Sequence, residues 1–379
     1  MASVDRQLIS IYLLTATLMV SYGAIFSLLA EIRDSFGLTS AGIGFVGAAA
    51  FASGFVAQLF LSRFADSGYG SLMIQTGLVI CIASTCWMAV ADSLPEWILS
   101  RAALGFGSGI VRPAIRRYIV IRDPASAGRS LGVLTAYETA GFLVGPVIAA
   151  ILNSTLGLTA NFIVLAILLL IFTPFVFKID IPSAPRPPGQ GILLELIKRP
   201  AMQSCIAMGI AFWITIGVFE AIWAVYMSDL GASQVFIGLT MSLFGIPMIF
   251  ISPKAGEFAQ KKGSLNVAVV SIGIAICCMI SYGILQHIWL LCIPLLIHAI
   301  ADAFTMPATQ LAVTQASGED ALASGQGLYG AVSMAVGAVT AAVGGILYQE
   351  GGAGSVWWTS GAAMIFFMMI AWWRGKELR

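Results

Sequence analysis

The sequence predicts an all-α integral membrane protein with twelve transmembrane helices in two six-helix pseudo-repeats. Three observations carry this reading. The chain has 379 residues, of which 59% are hydrophobic and only 10% charged, with a mean hydropathy of +0.94; a soluble domain carries about 25% charged residues. Twelve apolar segments are each about twenty residues long, the length that crosses a bilayer as a helix. Finally, a single offset of 194 residues relates the two sets of six. It places Ile43-Gly44 on Ile237-Gly238, Asp66 on Gln260 and Pro113 on Pro307.

In order, the first six segments fall near 8–30, 42–62, 71–91, 96–120, 130–152 and 159–177. The first follows "MASVDRQLIS" with no small-residue cleavage site, so it is expected to be a retained helix rather than a signal peptide. The second six fall near 201–227, 234–253, 265–286, 288–313, 324–348 and 355–373. Between the sets lies "KIDIPSAPRPPGQGILLELIKRP", the one long hydrophilic, proline-rich stretch. The expected organisation is therefore an N-terminal half over 1–178, a cytoplasmic linker over 179–199 and a C-terminal half over 200–379. With both termini cytoplasmic, sixteen of the nineteen Lys and Arg residues fall at or near the inner face, Lys178 among them. Only Arg33 sits in an outer loop, and Arg101 and Arg112 fall inside a span. The positive-inside rule thus orients the chain in a plasma (inner) membrane.

Other classes find little support. The near-zero net charge argues against a nucleic-acid partner. The six cysteines lie in or beside apolar segments without metal-ligand spacing and read as small core residues. No nucleophile motif, Cys/His metal set, phosphate-cradling glycine loop or ATPase motif is present. No enzyme activity, cofactor or metal is therefore expected. The expected partners are a small-molecule substrate, protons and the lipid bilayer, with the protein acting as a monomer.

Several short motifs then resemble the major facilitator superfamily along the whole chain. The loop after the second helix, "SRFADSGYGS", keeps Ala65 and Asp66 of a family motif but lacks its basic residues. The equivalent loop "GEFAQKKGSL" keeps Gly256, Ala259, Lys261 and Gly263, with Gln260 in place of the acid. In the fourth helix "RAALGFGSG" matches at Arg101, Gly105 and Gly107, with Leu104 replacing a polar residue. In the fifth, "GFLVGPVIAA" keeps Gly141, Gly145 and Pro146, a pattern similar to the drug:proton antiporter branch. The resemblance implies the major facilitator fold. It also implies a loop latch at Asp66, proton coupling at Arg101, and a conformational role for Gly141, Gly145 and Pro146. Helices 1, 4, 7 and 10 line the central substrate cavity in that family.

Ionisable residues inside the spans are few: Arg101, Arg112, Glu138, Glu220, His298 and Asp302. Such residues normally face a cavity or a partner and are functional candidates, the alternative being a charge pair that locks two helices. Arg101, Gly105, Ser108, Arg112 and Arg116 recur at helical spacing and share a face, as do His298, Asp302, Thr305 and Thr309. The repeat offset puts Asp302 level with Ser108, so a basic face could meet an acidic one. Burial penalises a carboxylate's charge and a nearby arginine favours it, so moving the arginine would switch a proton on or off. Asp302 with His298 is the first choice for such a relay, followed by Glu138 and Glu220. Trp213 and Trp223 flank Glu220 and suit a hydrophobic or cationic substrate, or else face lipid. Arg112, Tyr137, Gln326 and Tyr329 complete the substrate-binding candidates. Arg116 and Arg117 read as markers of the cytoplasmic helix end, and Trp357, Trp358, Trp372 and Trp373 as interface anchors.

The expected function is a secondary transporter working by alternating access, exporting small amphipathic or drug-like molecules in exchange for protons. Two rivals are an importer or exchanger of an anionic metabolite held by Arg101 and Arg112, and a lipid or lysolipid translocator. A non-transporting membrane sensor on the same scaffold is the reading from another class.

Overall fold

The computed structural model describes residues 6–379 except 39, 172, 178, 187, 188, 190 and 233. Lys178, counted above among the inner-face charges, lies outside the described residues. So do parts of the proline-rich linker.

The described residues form twelve principal helices and no strand. The first six are α1 (Arg6–Phe36), α2 (Ser40–Phe64), α3 (Gly70–Met88), α4 (Leu94–Arg122), α5 (Ala127–Leu156) and α6 (Leu158–Ile171), the last continued by Thr173–Val176. A short helix, Ile192–Lys198, sits in the linker. The second six open with α7 (Pro200–Asp229), α8 (Gln234–Lys262), α9 (Ser264–Tyr282) and α10 (Ile288–Ser317). The last helical run, Leu322–Arg374, is broken at Gly352, whose φ of 70° only glycine adopts readily. The break divides the run into α11 (322–351) and α12 (353–374), which underlie the candidate spans Glu319–Tyr348 and Glu350–Arg374.

Nine stretches among the described residues are long and apolar enough to cross a membrane. One of them, Phe45–Met88, runs through both α2 and α3, which are separated at Ala65–Tyr69 by a break in the helical path at Ser67 and Gly68, the latter with a φ of 90°. Two more helices, α4 and α6, escape that criterion for opposite reasons: α4 carries too many arginines, and α6 is only 14 residues long.

The chain divides into two compact units. Unit 1 holds residues 1–122, 137–192 and 319–331; unit 2 holds 123–136, 193–318 and 332–379. Inside unit 1, α4 packs along α2 and α3; inside unit 2, α10 packs along α8 and α9. These pairs are related by the same offset that relates the sequence halves, so the repeat is structural as well as sequential. In each unit one short segment comes from the other sequence half: the first turns of α11 in unit 1, and those of α5 in unit 2.

Candidate functional site

The glycines of α5 account for its course through unit 1. A Cβ on Gly141 would strike the Ala16 carbonyl of α1, and one on Gly145 would meet Val20 O at 2.5 Å and Ala24 N at 2.7 Å. In return a Cβ on Gly23 would come within 3.1 Å of Pro146 Cδ. The helices therefore touch backbone to backbone, a packing available in a membrane only where side chains are absent. The motif at Gly141, Gly145 and Pro146 is a fitted seam against α1.

That seam brings the charges of α4 and α5 together. Arg101 is 1% exposed, and its guanidinium lies over the Tyr22 ring at 5.0 Å from the centroid. The Tyr22 hydroxyl shares a 2.7 Å hydrogen bond with Ser108, about two turns further along α4. Glu138 of α5 is reached by two arginines: Arg112 Nε at 3.6 Å and Arg116 Nη2 at 3.4 Å, both from Oε1. Tyr137, the neighbour of Glu138, stacks on Tyr12 of α1 at 5.4 Å. From α11, Gln326 and Tyr329 are both buried in unit 1, and Tyr329 lies within electrostatic range of Arg116.

Arg116 and Arg117, read above as markers of the cytoplasmic helix end, are also buried and partnered: Arg116 is 7% exposed and paired to Glu138, and Arg117 is 2% exposed. Arg117 Nη1 donates to Asp66 Oδ1 at 3.0 Å and to the Glu319 carbonyl at 3.3 Å, while Nη2 donates to the Pro182 carbonyl at 3.1 Å. Asp66 itself is fully buried and accepts the backbone N–H groups of Ala323 (2.9 Å) and Ser324 (2.8 Å) and the Ser324 hydroxyl (2.7 Å). A carboxylate at the first turn of α11 also meets the positive end of that helix. The loop that lacks basic residues of its own is thus joined to a guanidinium from α4 and to the first turn of α11, all within unit 1.

Unit 2 holds the second group of candidates. His298 and Asp302, one turn apart on α10, are 0% and 1% exposed, with Nε2 to Oδ1 at 3.7 Å. His298 Nδ1 shares a 3.3 Å hydrogen bond with the Tyr282 hydroxyl of α9. Among the described residues, neither Asp302 oxygen accepts a hydrogen bond. Phe219 of α7 covers the histidine, at 5.5 Å from His298 and 4.9 Å from Trp223, and within 5.5 Å of Phe244, Tyr282 and Trp357.

Trp223 is enclosed in this aromatic packing at 1% exposure, its indole N–H donating to Thr240 at 2.9 Å. Trp357, expected at the interface, is also in the cluster and fully buried, whereas Trp358, Trp372 and Trp373 are exposed. Trp213 is half-buried, and Glu220 stands on the exposed side of α7. A carboxyl exposed within a membrane span needs water or a counter-charge rather than lipid.

The structure therefore groups Arg112, Arg116 and Glu138 in unit 1, and His298, Asp302 and Tyr282 in unit 2. Arg101 and Asp302 belong to different units. Sequence reasoning passed over Tyr22, Tyr282 and Ser324, and read Arg117 only as a helix-end marker. Arg117 had one readable signal, since it lies five residues inside the helix end within the apolar run "AIRRYIVI". The donors from Ala323 and Ser324 are backbone groups and leave no residue-type signature. Among the described residues no cluster of three or more His, Cys, Asp or Glu side chains could hold a metal.

Comparison with known proteins agrees with this architecture. The family model described as Major Facilitator Superfamily matches residues 11–284 and 205–378. The multidrug resistance protein MdtG of Dickeya zeae (strain Ech586) is 24% identical over 267 residues, 67% of this chain and 65% of that protein. The uncharacterized MFS-type transporter YuxJ of Bacillus subtilis (strain 168) is 24% identical over 64% of this chain and 65% of its own length. The chain thus aligns with just under two thirds of each of these relatives. Among solved structures, the human organic anion transporter MFSD10 (TETRAN) superposes with a TM-score of 0.82 over 98% of this chain and all of that one, at 14% identity. At that identity the likeness is one of fold.

Proposed function

The chain belongs to the Major Facilitator Superfamily, and from that premise we propose that this multi-pass transporter exports small amphipathic, drug-like molecules in exchange for protons by alternating access. The substrate class is supported by the likeness to the MdtG proteins and by the α5 seam on α1. The lysine and arginine distribution supports an orientation with both termini cytoplasmic, and the inner membrane is the location assigned to it in this reading.

The observation that carries the coupling is the His298–Asp302 pair. A buried carboxyl with an imidazole 3.7 Å away and no hydrogen-bond donor among the described residues is a group whose proton matters greatly to its surroundings. Tyr282, hydrogen-bonded to the other ring nitrogen, fixes the imidazole and extends the chain of proton-bearing groups. Glu138, Glu220 and Arg101 are secondary participants in this reading. Trp213, Tyr137, Gln326 and Tyr329 are the remaining substrate contacts assigned to it.

The test is substrate-induced proton movement in proteoliposomes with a trapped pH dye. Wild-type protein should show it, and Asp302→Asn should abolish it while leaving the protein folded. Undiminished proton movement in Asp302→Asn would remove the relay.

A further inference from the structure

Two guanidiniums share one carboxylate in unit 1. Arg112 and Arg116 stand one turn apart on α4, and both reach the same oxygen of Glu138, at 3.6 Å and 3.4 Å. The cluster therefore holds one positive charge in excess. It does so well inside the membrane, because Arg112 lies about 15 Å from the end of α4 at 1.5 Å per residue.

Its members are not equally covered. The side chains of Glu138 and Arg116 are 5% and 9% exposed, but that of Arg112 is 20% exposed. Among the described residues, Arg112 Nε and the second oxygen of Glu138 make no hydrogen bond, and the contact of Arg112 Nη2 with Met19 Sδ at 3.9 Å is weak. A guanidinium offers five donors in a planar fork that suits a carboxylate. Here much of that fork is uncommitted and partly accessible, beside an acid that already has a second partner.

We propose that this cluster is an anion-recognition subsite, taking the carboxylate of a singly charged amphipathic organic acid at Arg112. Glu138 occupies the arginine pair when no substrate is bound. On entry of the substrate, Glu138 stays with Arg116 and yields Arg112. A monoanion neutralises the cluster, whereas a dianion would leave it negative, so the charge count favours one carboxylate over a doubly ionised phosphate. Arg101 takes no part, being covered by Tyr22 and 1% exposed. This assignment rests on the transporter reading above, narrows its substrate class, and is tested by binding without flux.

The probes share one apolar body: 2-naphthaleneacetate, its neutral amide, and the corresponding naphthylmethyl-trimethylammonium. Their binding to the detergent-purified full chain is measured by calorimetry. The acetate should bind about tenfold more tightly than the amide, the factor expected of one charge-assisted contact. Arg112→Gln should bring acetate and amide to within about twofold of each other, and Arg112→Lys should restore part of the preference. Glu138→Gln should move acetate affinity the opposite way, tightening it severalfold, because the internal competitor is lost. Should Glu138→Gln unfold, the Arg112→Lys series alone decides. Equal binding of acetate and amide to wild type, or an unaltered preference in Arg112→Gln, overturns the subsite. Proteoliposome flux of the same three probes separates this outcome from the wider reading. Transport without anion preference sinks the subsite alone, whereas anion-selective binding without any flux sinks the transporter reading and leaves the subsite standing.

Discussion

Asp66, just after α2, and Gln260, in the last turn of α8, hold equivalent places in the two pseudo-repeats, and each fastens the first turn of a helix: α11 for Asp66 and α5 for Gln260. The chemistry differs. Asp66 is a buried carboxylate with two backbone donors, a hydroxyl donor and the Arg117 guanidinium. Gln260 is a neutral amide: its oxygen accepts from Gly128 N–H at 2.8 Å and its nitrogen donates to the Ala125 carbonyl at 2.6 Å. Around the amide the two helices also cross at glycines, and a Cβ on Gly256 would strike the Gly128 carbonyl. One repeat thus uses charge and the other uses proximity. A charged latch demands every partner, since a buried ion without its counter-ion is heavily penalised. A neutral amide loses only the bonds that are removed.

This contrast orders the expected effects of substitution. Arg117→Ala leaves Asp66 buried without its counter-charge and should cost about 3–5 kcal/mol. It should show as the largest fall in melting temperature of the purified protein, and a fall no greater than that of a surface substitution would erase the contrast. Gln260→Ala removes two neutral hydrogen bonds and should cost about 1–2 kcal/mol, a clearly smaller shift in the same assay. The smallest effect belongs to Gln260→Glu. It keeps the acceptor for Gly128 and gains about 0.3–1 kcal/mol at the helix N-terminus, but loses the donor to Ala125. A near-zero net shift is expected. A large destabilisation there would mean that the α5 turn resists charge, and would sharpen the difference between the repeats.

The helices were legible because bilayer length and apolar composition leave a strong mark, and even α4 stands out, since its charges interrupt an otherwise apolar run. Its inward arginines were recognisable on different grounds: Arg101 fell on a family motif, and Arg112 stands ten residues from the nearer helix end. The burial of Arg116 and Arg117 was not legible, because a boundary basic residue and a buried one close to the boundary look alike in a hydropathy profile. Trp357 follows the same logic, as an indole near a span end fits an interface or a core. The His298–Asp302 spacing pointed to their pairing, whereas Tyr282 arrives from α9 through tertiary packing that no local pattern records. The partners of Asp66 on α11 are peptide N–H groups, which every residue but proline possesses.

The Asp66 latch also bears on how the chain is made. Its carboxylate and Arg117 are 51 residues apart and are synthesised close together, but the N–H groups of Ala323 and Ser324 lie 257 and 258 residues downstream. At translation rates of about 5–20 residues per second, Asp66 waits on the order of ten seconds or longer for its last donors. During that interval the nascent first half relies on the arginine pair alone. Completion of α11 is then the event in biogenesis that finishes unit 1, long after the ribosome has left its other helices behind.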